Sequence, residues 1–162
     1  MPNSTGTAPP NLKAPAHATD CHVHIYDLAV FPVPPHAPAG TPGATVADYR
    51  LLQKRIGTSR VVVVHPRNYG TDNSVTLDAV AQLGPQARGI AVVAPEVTAA
   101  ALKRLHAGGM RGIRFSLTAD PKTWVVQPDM IEPMAERIAD LGLHLQRAME
   151  AELIDQLAAM LR

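Results

Sequence analysis

Two histidines one residue apart, His22 and His24, stand in the stretch Asp20-Cys21-His22-Val23-His24-Ile25-Tyr26-Asp27. On a β-strand successive side chains alternate faces. That predicts Asp20, His22 and His24 on one face, with Cys21, Val23 and Ile25 on the other. Two imidazoles and a carboxylate on one face are costly to bury and chemically useful. Neutral ring nitrogens can hold a metal, and the same pair can bind an anion or carry protons. The plainer alternative is a pair of core histidines satisfied by hydrogen bonds, and the pair alone leaves both open. By the same parity Cys21 is turned toward the covering helices, which removes it as a nucleophile.

These residues need a scaffold, and the chain supplies a repeated one. Residues 1–19 are rich in Ser, Thr, Pro, Ala and Asn without hydrophobic periodicity, and are expected to form a disordered leader. Residues 20–26 read as the first strand. Residues 27–44 carry five prolines and are expected to be an irregular, functional or mobile loop. Thr45 can cap a helix with Val46, Tyr49, Leu52 and Ile56 on one stripe, stopped by Gly57. The run Val61-Val62-Val63-Val64 is apolar on both faces, as in a strand of a parallel sheet covered on both sides. Further strands are expected at 89–93, 112–117 and 143–148. Helices are expected from Asp72 or Asn73 to Leu83, from Thr98 to His106, from Asp129 to Leu141 and over 150–161, each bounded by Gly or Pro signals.

Strand–helix alternation repeated five times argues for a parallel sheet with helices over it, an α/β fold. A doubly wound open sheet and part of a (β/α)8 barrel both fit. No Gly-x-Gly-x-x-Gly and no phosphate-binding loop follows any strand, which weighs against nucleotide binding. In either architecture chemistry collects at the carboxyl ends of the strands. The groups there are His22, His24 and Tyr26, then His65, then Arg114 and Ser116, then Gln146 and Arg147. Arg114 lies inside an otherwise apolar strand and needs an anionic partner if buried, either a bound anion or a structural acid such as Asp20.

With 162 residues, 46% hydrophobic and 18% charged, the chain suits one globular domain, here 20–162. Its net charge of +1, with no basic run and few aromatics, argues against nucleic acid as a partner. The single cysteine points to a reducing compartment, and the leader lacks the features of a signal peptide. No apolar run reaches the ~18 residues of a membrane span. A cytoplasmic protein without membrane partners is therefore expected.

Three segments together resemble the amidohydrolase-related family: residues 20–27, then His65-Pro66-Arg67-Asn68-Tyr69-Gly70-Thr71-Asp72-Asn73, then Gly112-Ile113-Arg114-Phe115. In particular they look like the branch of 2-pyrone-4,6-dicarboxylate hydrolase and related lactonases. The resemblance covers most of residues 17–147 and implies a TIM-barrel-like (β/α)8 fold of about 250 residues, of which the first five βα units are present. It further implies hydrolysis of a lactone or similar ring bond in a small carboxylated molecule. His22 and His24 are the implied catalytic residues, binding and polarising the carbonyl, and His65 at the end of the second strand is a candidate base. Arg114, Tyr69, Thr71 and Gln146 are the implied substrate-binding residues. No cofactor is expected in that branch. A metal-dependent member would instead place zinc on His22 and His24.

Departures from the family are visible too. Arg67 stands where a serine is common, Gly40 where some relatives have tyrosine, and Arg147-Ala148 follow Gln146. The strand-eight acid that serves the family as base or metal ligand has no counterpart in this sequence. Five units of an eight-unit barrel also leave the first and fifth strands with open edges. Self-association through those edges, relaxation into an open sheet, and a truncated, inactive remnant are three ways to resolve this.

Overall fold

The valine run forms a strand apolar on both sides because both sides are covered. In the computed structural model Val61 and Val63 pack under helices, and Val64 is fully buried on the opposite face. The structure describes residues 8–117 and 127–149, and beyond them positions 151, 154 and 158. The order of elements is β1 (Thr19–Val23), α1 (Val46–Ile56), β2 (Arg60–Val64), α2 (Ser74–Leu83), β3 (Ala87–Ala91), α3 (Ala99–Ala107), β4 (Met110–Leu117), α4 (Ile131–Ala139) and β5 (His144–Met149). The five strands lie in sequential order and every neighbouring pair is parallel. An open doubly wound sheet reverses its strand order at a switch point, and this one does not.

The sheet is also curled. Neighbouring strands are spaced ~4.8 Å apart, so β1 and β4 are separated by about 14 Å along the sheet. Yet Arg114 Nη1 of β4 meets His22 Nε2 of β1 at 3.4 Å. A sheet bent toward that face brings the two side chains together across the intervening strands. The fold is thus a half-barrel of TIM type, with the helices outside and a concave face inside.

Two apolar clusters fasten the helices to the convex face. Ile25, Val46, Tyr49, Val61, Val63, Ala79, Val80 and Ala87 form one under α1 and α2. Leu102, Met110, Ile113, Phe115, Ile131, Met134 and Ile138 form the core of the other under α3 and α4. At Gly89 a Cβ would lie 2.2 Å from Met110 Sδ, so a larger residue there would push the buried Met110 side chain aside.

Local signals account for the helix ends. Thr45 and Asp48 form a reciprocal capping box at the start of α1, and Gly57 ends it in the left-handed conformation with φ 77°. Thr98 caps α3 through Ala101 N–H. At α4 the expected Asp129 cap is replaced by a 3-10 turn over Pro128–Met130, and the helix start has no side-chain cap. The first strand ends at Val23 rather than 26; Tyr26 instead forms an isolated antiparallel bridge with Ala44. The third strand runs two residues earlier than the sequence suggests. The predicted loop over 118–128 and helix over 150–161 lie almost entirely outside the described residues.

Residues before β1 are tied to the sheet at their end. Arg60 Nε donates to His17 O at 2.8 Å, and Ser59 N donates to Ala18 O at 3.0 Å. Among the described residues no helix is long and apolar enough to cross a membrane.

Candidate active site

The chemistry-bearing face is set by a defect in β1. Asp20 pairs with Val61 but Val23 pairs with Val63, so β1 holds one residue more than β2 over that interval. Such a bulge breaks strict alternation. Asp20 consequently turns to the convex side, where Oδ2 accepts a hydrogen bond from Tyr49 Oη of α1 at 3.2 Å. Burial, and then the Asp20 charge, push the Tyr49 phenol well above its ordinary range. Val23 and Ile25 pack under α1 as expected. His22 and His24 stay on the concave side, with ring centroids 5.0 Å apart and planes perpendicular. The expectation that Asp20 shares a face with the histidines is therefore corrected. So is a structural Asp20–Arg114 pair. Cys21 is exposed rather than packed beneath helices.

Each imidazole has a defined proton arrangement. His24 Nδ1 lies 2.8 Å from Val64 O. A carbonyl only accepts, so Nδ1 carries the proton and a neutral His24 presents an Nε2 lone pair. His22 Nε2 faces Arg114 Nη1, which only donates, so that nitrogen is an acceptor as well. Burial, then the charges of His24 and Arg114, lower the His22 pKa, with Asp20 opposing. His22 is neutral near pH 7.

Arg114, Ser116 and Gln146 occupy adjoining positions on the concave face of β4 and β5, with Arg114 opposite Gln146 in the register. Three of their buried polar atoms, Arg114 Nε, Ser116 Oγ and Gln146 Oε1, have no hydrogen-bond partner. Leaving a buried polar group unpaired costs about 1–3 kcal/mol. Three on one patch describe a surface built to meet polar groups that the described residues do not supply. Burial, and then the field of Arg67, lower the pKa of Arg114. Among the described residues no carboxylate acts on it.

The loop after β2 lies at the mouth. Tyr69 is buried and donates from Oη to Phe31 O at 2.8 Å. Tyr26 Oη donates to Asn68 Oδ1 at 2.7 Å, and Asn68 Nδ2 donates to Pro38 O and Ala39 O at 2.8 and 3.1 Å. Together they staple the proline-rich 27–44 loop to the β2–α2 connection. His65 is 1% exposed, with Nδ1 2.9 Å from Thr76 Oγ1 of α2. Burial lowers its pKa to about 4, with the Gly70 carbonyl and Asp72 opposing. Thr71 is exposed on the rim of a groove of about 450 Å³ between α2 and α3, with Asp72, Leu77, Val97 and Arg104. Of the two caps the sequence offered for α2, Asn73 is engaged elsewhere: it donates to Val92 O at 2.7 Å and accepts from Val92 N at 3.0 Å, extending β3 through a side chain. Asp72 takes over the cap, accepting from Ser74 N at 3.0 Å.

The structure thus brings His22, His24, Arg114 and Gln146 to one concave face. It places His65 behind that face, Tyr69 in the loop that fastens residues 27–44, and Thr71 apart from them on the rim of the groove between α2 and α3. Sequence reading missed the proximity of Arg67 to Arg114; neither residue type nor spacing signals it. As for a metal, two imidazole lone pairs are a partial ligand set, but His22 Nε2 is turned to the Arg114 cation. Asp20, the nearest carboxylate in sequence, is on the other side of the sheet. Among the described residues no group of three or more His, Cys, Asp or Glu could hold an ion. The residues described do not fit a divalent cation.

Residues 19–162 match the family described as amidohydrolase. The chain is 34% identical over 143 residues to 2-pyrone-4,6-dicarboxylate hydrolase of Comamonas testosteroni, covering 88% of this chain and 47% of that protein. It is 34% identical over 129 residues to 4-sulfomuconolactone hydrolase of Rhizobium radiobacter, covering 79% and 43%. A crystal structure of an Agrobacterium tumefaciens protein in its apo form superposes with a TM-score of 0.83 at 26% identity, covering 96% of this chain and 54% of that one. The chain spans about half the length of the relatives it matches.

Proposed function

Because this chain belongs to the amidohydrolase family, we propose that its concave face is the active site, or the first half of one, for hydrolytic opening of a lactone ring in a small carboxylated compound. The observation that carries this reading is the Arg114–His22 contact across the curled sheet, beside the free Nε2 of His24. It sets a planar cation next to a proton acceptor on one patch. Arg114 holds a substrate carboxylate through its donor fork, and Gln146 and Ser116 meet the polar edge of the ring. His22 fixes the guanidinium. His24 Nε2 takes a proton from a water molecule as the water oxygen bonds to the lactone carbonyl carbon. The ring C–O bond then breaks, the proton returns from His24 to the departing oxygen, and a new carboxylic acid and a hydroxyl result. His24 held by Val64 O has the tautomer for this role, so proton transfer replaces the carbonyl polarisation suggested by the sequence.

The same reading places no metal between the histidines, since a divalent cation would lie against Arg114. Elemental analysis of the purified protein before and after chelation tests this; stoichiometric zinc whose removal unfolds the β1 region would defeat it. The activity is tested with 2-pyrone-4,6-dicarboxylate, the compound named for one relative, by loss of ring absorbance. His24→Ala and Arg114→Ala are expected to lower the rate by about 10²-fold or more. Equal rates for wild type and both variants at the uncatalysed level would sink the enzyme reading.

A further inference from the structure

We propose that Asp20 and Tyr49 are positioning residues of the site: the Asp20 carboxylate, anchored on α1 by the Tyr49 hydroxyl, pins the backbone amide of His22 and so sets its ring against Arg114. This rests on the proposed function for what Arg114 then holds, and adds what keeps the contact in place. The break in β1 makes such a pin necessary. Asp20 pairs with Val61 and Val23 with Val63, so Cys21 and His22 together stand opposite the single residue Val62. Regular pairing is interrupted at such a point. The amide of His22 is met instead from two residues back, donating to Asp20 Oδ1 at 3.3 Å. The other oxygen of the same carboxylate, Oδ2, accepts from Tyr49 Oη at 3.2 Å. One carboxylate thus ties a helix side chain to the strand backbone that carries His22.

The two ends of this tie differ in freedom. Tyr49 is 4% exposed and packs in one apolar cluster with Ile25, Val46, Val61 and Ala79. Its helix is fixed at both ends, by the Thr45–Asp48 box and by Gly57. The phenol oxygen is therefore a rigid anchor. His22 is exposed, so packing does not hold its ring. The ring touches Arg114 Nη1 at 3.4 Å through Nε2 and meets His24 edge-on at 5.0 Å. A contact of 3.4 Å is at the long end for a hydrogen bond and is too weak to place a solvent-exposed side chain alone. A pinned amide narrows the backbone rotation open to residue 22, and with it the arc its ring can sweep. Asp20 also acts on His22 through its charge, opposing the lowering of the pKa by burial, His24 and Arg114. The pin works through geometry instead, from the side of the sheet opposite Arg114.

Three substitutions in the full chain separate geometry from charge. Tyr49→Phe deletes the anchoring hydroxyl and keeps the buried ring. Asp20→Ala removes both contacts. Asp20→Asn keeps both without the charge, because its oxygen accepts from His22 N–H and its amide nitrogen donates to Tyr49 Oη. The deciding readout is the NMR shift of the His22 ring nitrogens at a pH where the ring is neutral. In wild type Nε2 faces a donor, so Nδ1 carries the proton. Tyr49→Phe and Asp20→Ala are expected to move the shifts toward a mixture of the two tautomers, and Asp20→Asn to keep the wild-type shifts. A purely structural role for the pair would lower stability and leave the tautomer alone. Calorimetric titration with benzoate gives a second readout: the first two variants are expected to bind about fivefold more weakly, and Asp20→Asn within about twofold of wild type. Unchanged His22 shifts in both Tyr49→Phe and Asp20→Ala overturn the inference. So does an Asp20→Asn that behaves like Asp20→Ala, since the effect would then be one of charge. Arg114→Ala keeps this claim apart from the proposed function. If the His22 shifts move as expected while Arg114→Ala leaves benzoate binding unchanged, the carboxylate clamp fails and the positioning pair stands. Circular dichroism confirms that each variant keeps its sheet; should Asp20→Ala not fold, Tyr49→Phe against Asp20→Asn decides alone.

Discussion

His65 sits where protonation should oppose folding, and this can be measured. The ring is 1% exposed, and burial lowers its pKa to about 4 from an ordinary 6.5. The folded state therefore binds fewer protons than the unfolded state between those values. A depressed folded pKa means the contribution is fully present above pH 6.5 and is lost as pH falls toward 4. Worked through the linkage relation, the loss is about 2 kcal/mol at pH 5 and about 3 kcal/mol at pH 4. Urea unfolding at pH 7, 6, 5 and 4 for wild type and His65→Gln isolates it, because other titrating groups are common to both proteins. Glutamine retains a side-chain partner for Thr76, which now hydrogen-bonds His65 Nδ1 at 2.9 Å. Wild type should lose about 2 kcal/mol more than His65→Gln between pH 7 and 5. Parallel stability profiles for the two proteins would refute the assignment of His65 as a neutral, buried group.

Two further outcomes follow from the loop contacts. Asn73→Ala removes both hydrogen bonds to the backbone of Val92, leaving a buried N–H and C=O unpaired, and should destabilise the fold by about 2–4 kcal/mol in urea melts; a loss below 1 kcal/mol would mean solvent reaches Val92. Tyr69→Phe deletes the bond to Phe31 O at a cost of about 1 kcal/mol, and should speed hydrogen exchange of amides in 27–44 without changing exchange in β2 and β3. Unchanged exchange in the loop would show that Asn68 alone secures it.

The alternation of strands and helices was legible because it rests on local signals: Thr45, Gly57, Thr98 and the two-sided valine run each act within a few residues of themselves. What decided barrel against open sheet was not local. Composition and spacing leave both open; the family resemblance favoured the barrel, and the sequential strand order with the β1–β4 contact decides it. The shared face of His22 and His24 was readable from parity, whereas Arg114 and Gln146 were placed only at the ends of their strands and the face they share with the histidines is visible only in three dimensions. The cap of α2 was open between Asp72 and Asn73 in the sequence, because an Asn side chain serves a helix cap and a strand end equally well on paper. Its competitor Asp72 was equally suited to cap, and the backbone of Val92 is visible only in three dimensions.

The bulge in β1 decides the electrostatics of the site. Strict alternation would have set Asp20 beside His22 and His24, giving a carboxylate with two imidazoles: a neutralised cluster, or the beginning of a metal site. One inserted residue sends the carboxylate through the sheet to Tyr49. Asp20 then reaches the concave side only through its field, weakly raising the His22 pKa that burial, His24 and Arg114 lower. The charge left facing the histidines is Arg114, with Arg67 acting on it from above. A concave face that carries the Arg114 guanidinium beside an uncharged His22 attracts anions and repels cations. It also keeps a histidine lone pair available at neutral pH, because protonating His22 would add a second positive charge to the same patch. Deleting Cys21 would remove the bulge yet keep Asp20 level with Val61 on the convex side, so its carboxylate would still face Tyr49 and not Arg114. Such a variant should bind anionic probes about as tightly as wild type, measured by calorimetric titration, and a loss of anion binding would show that the bulge itself positions His22 against Arg114.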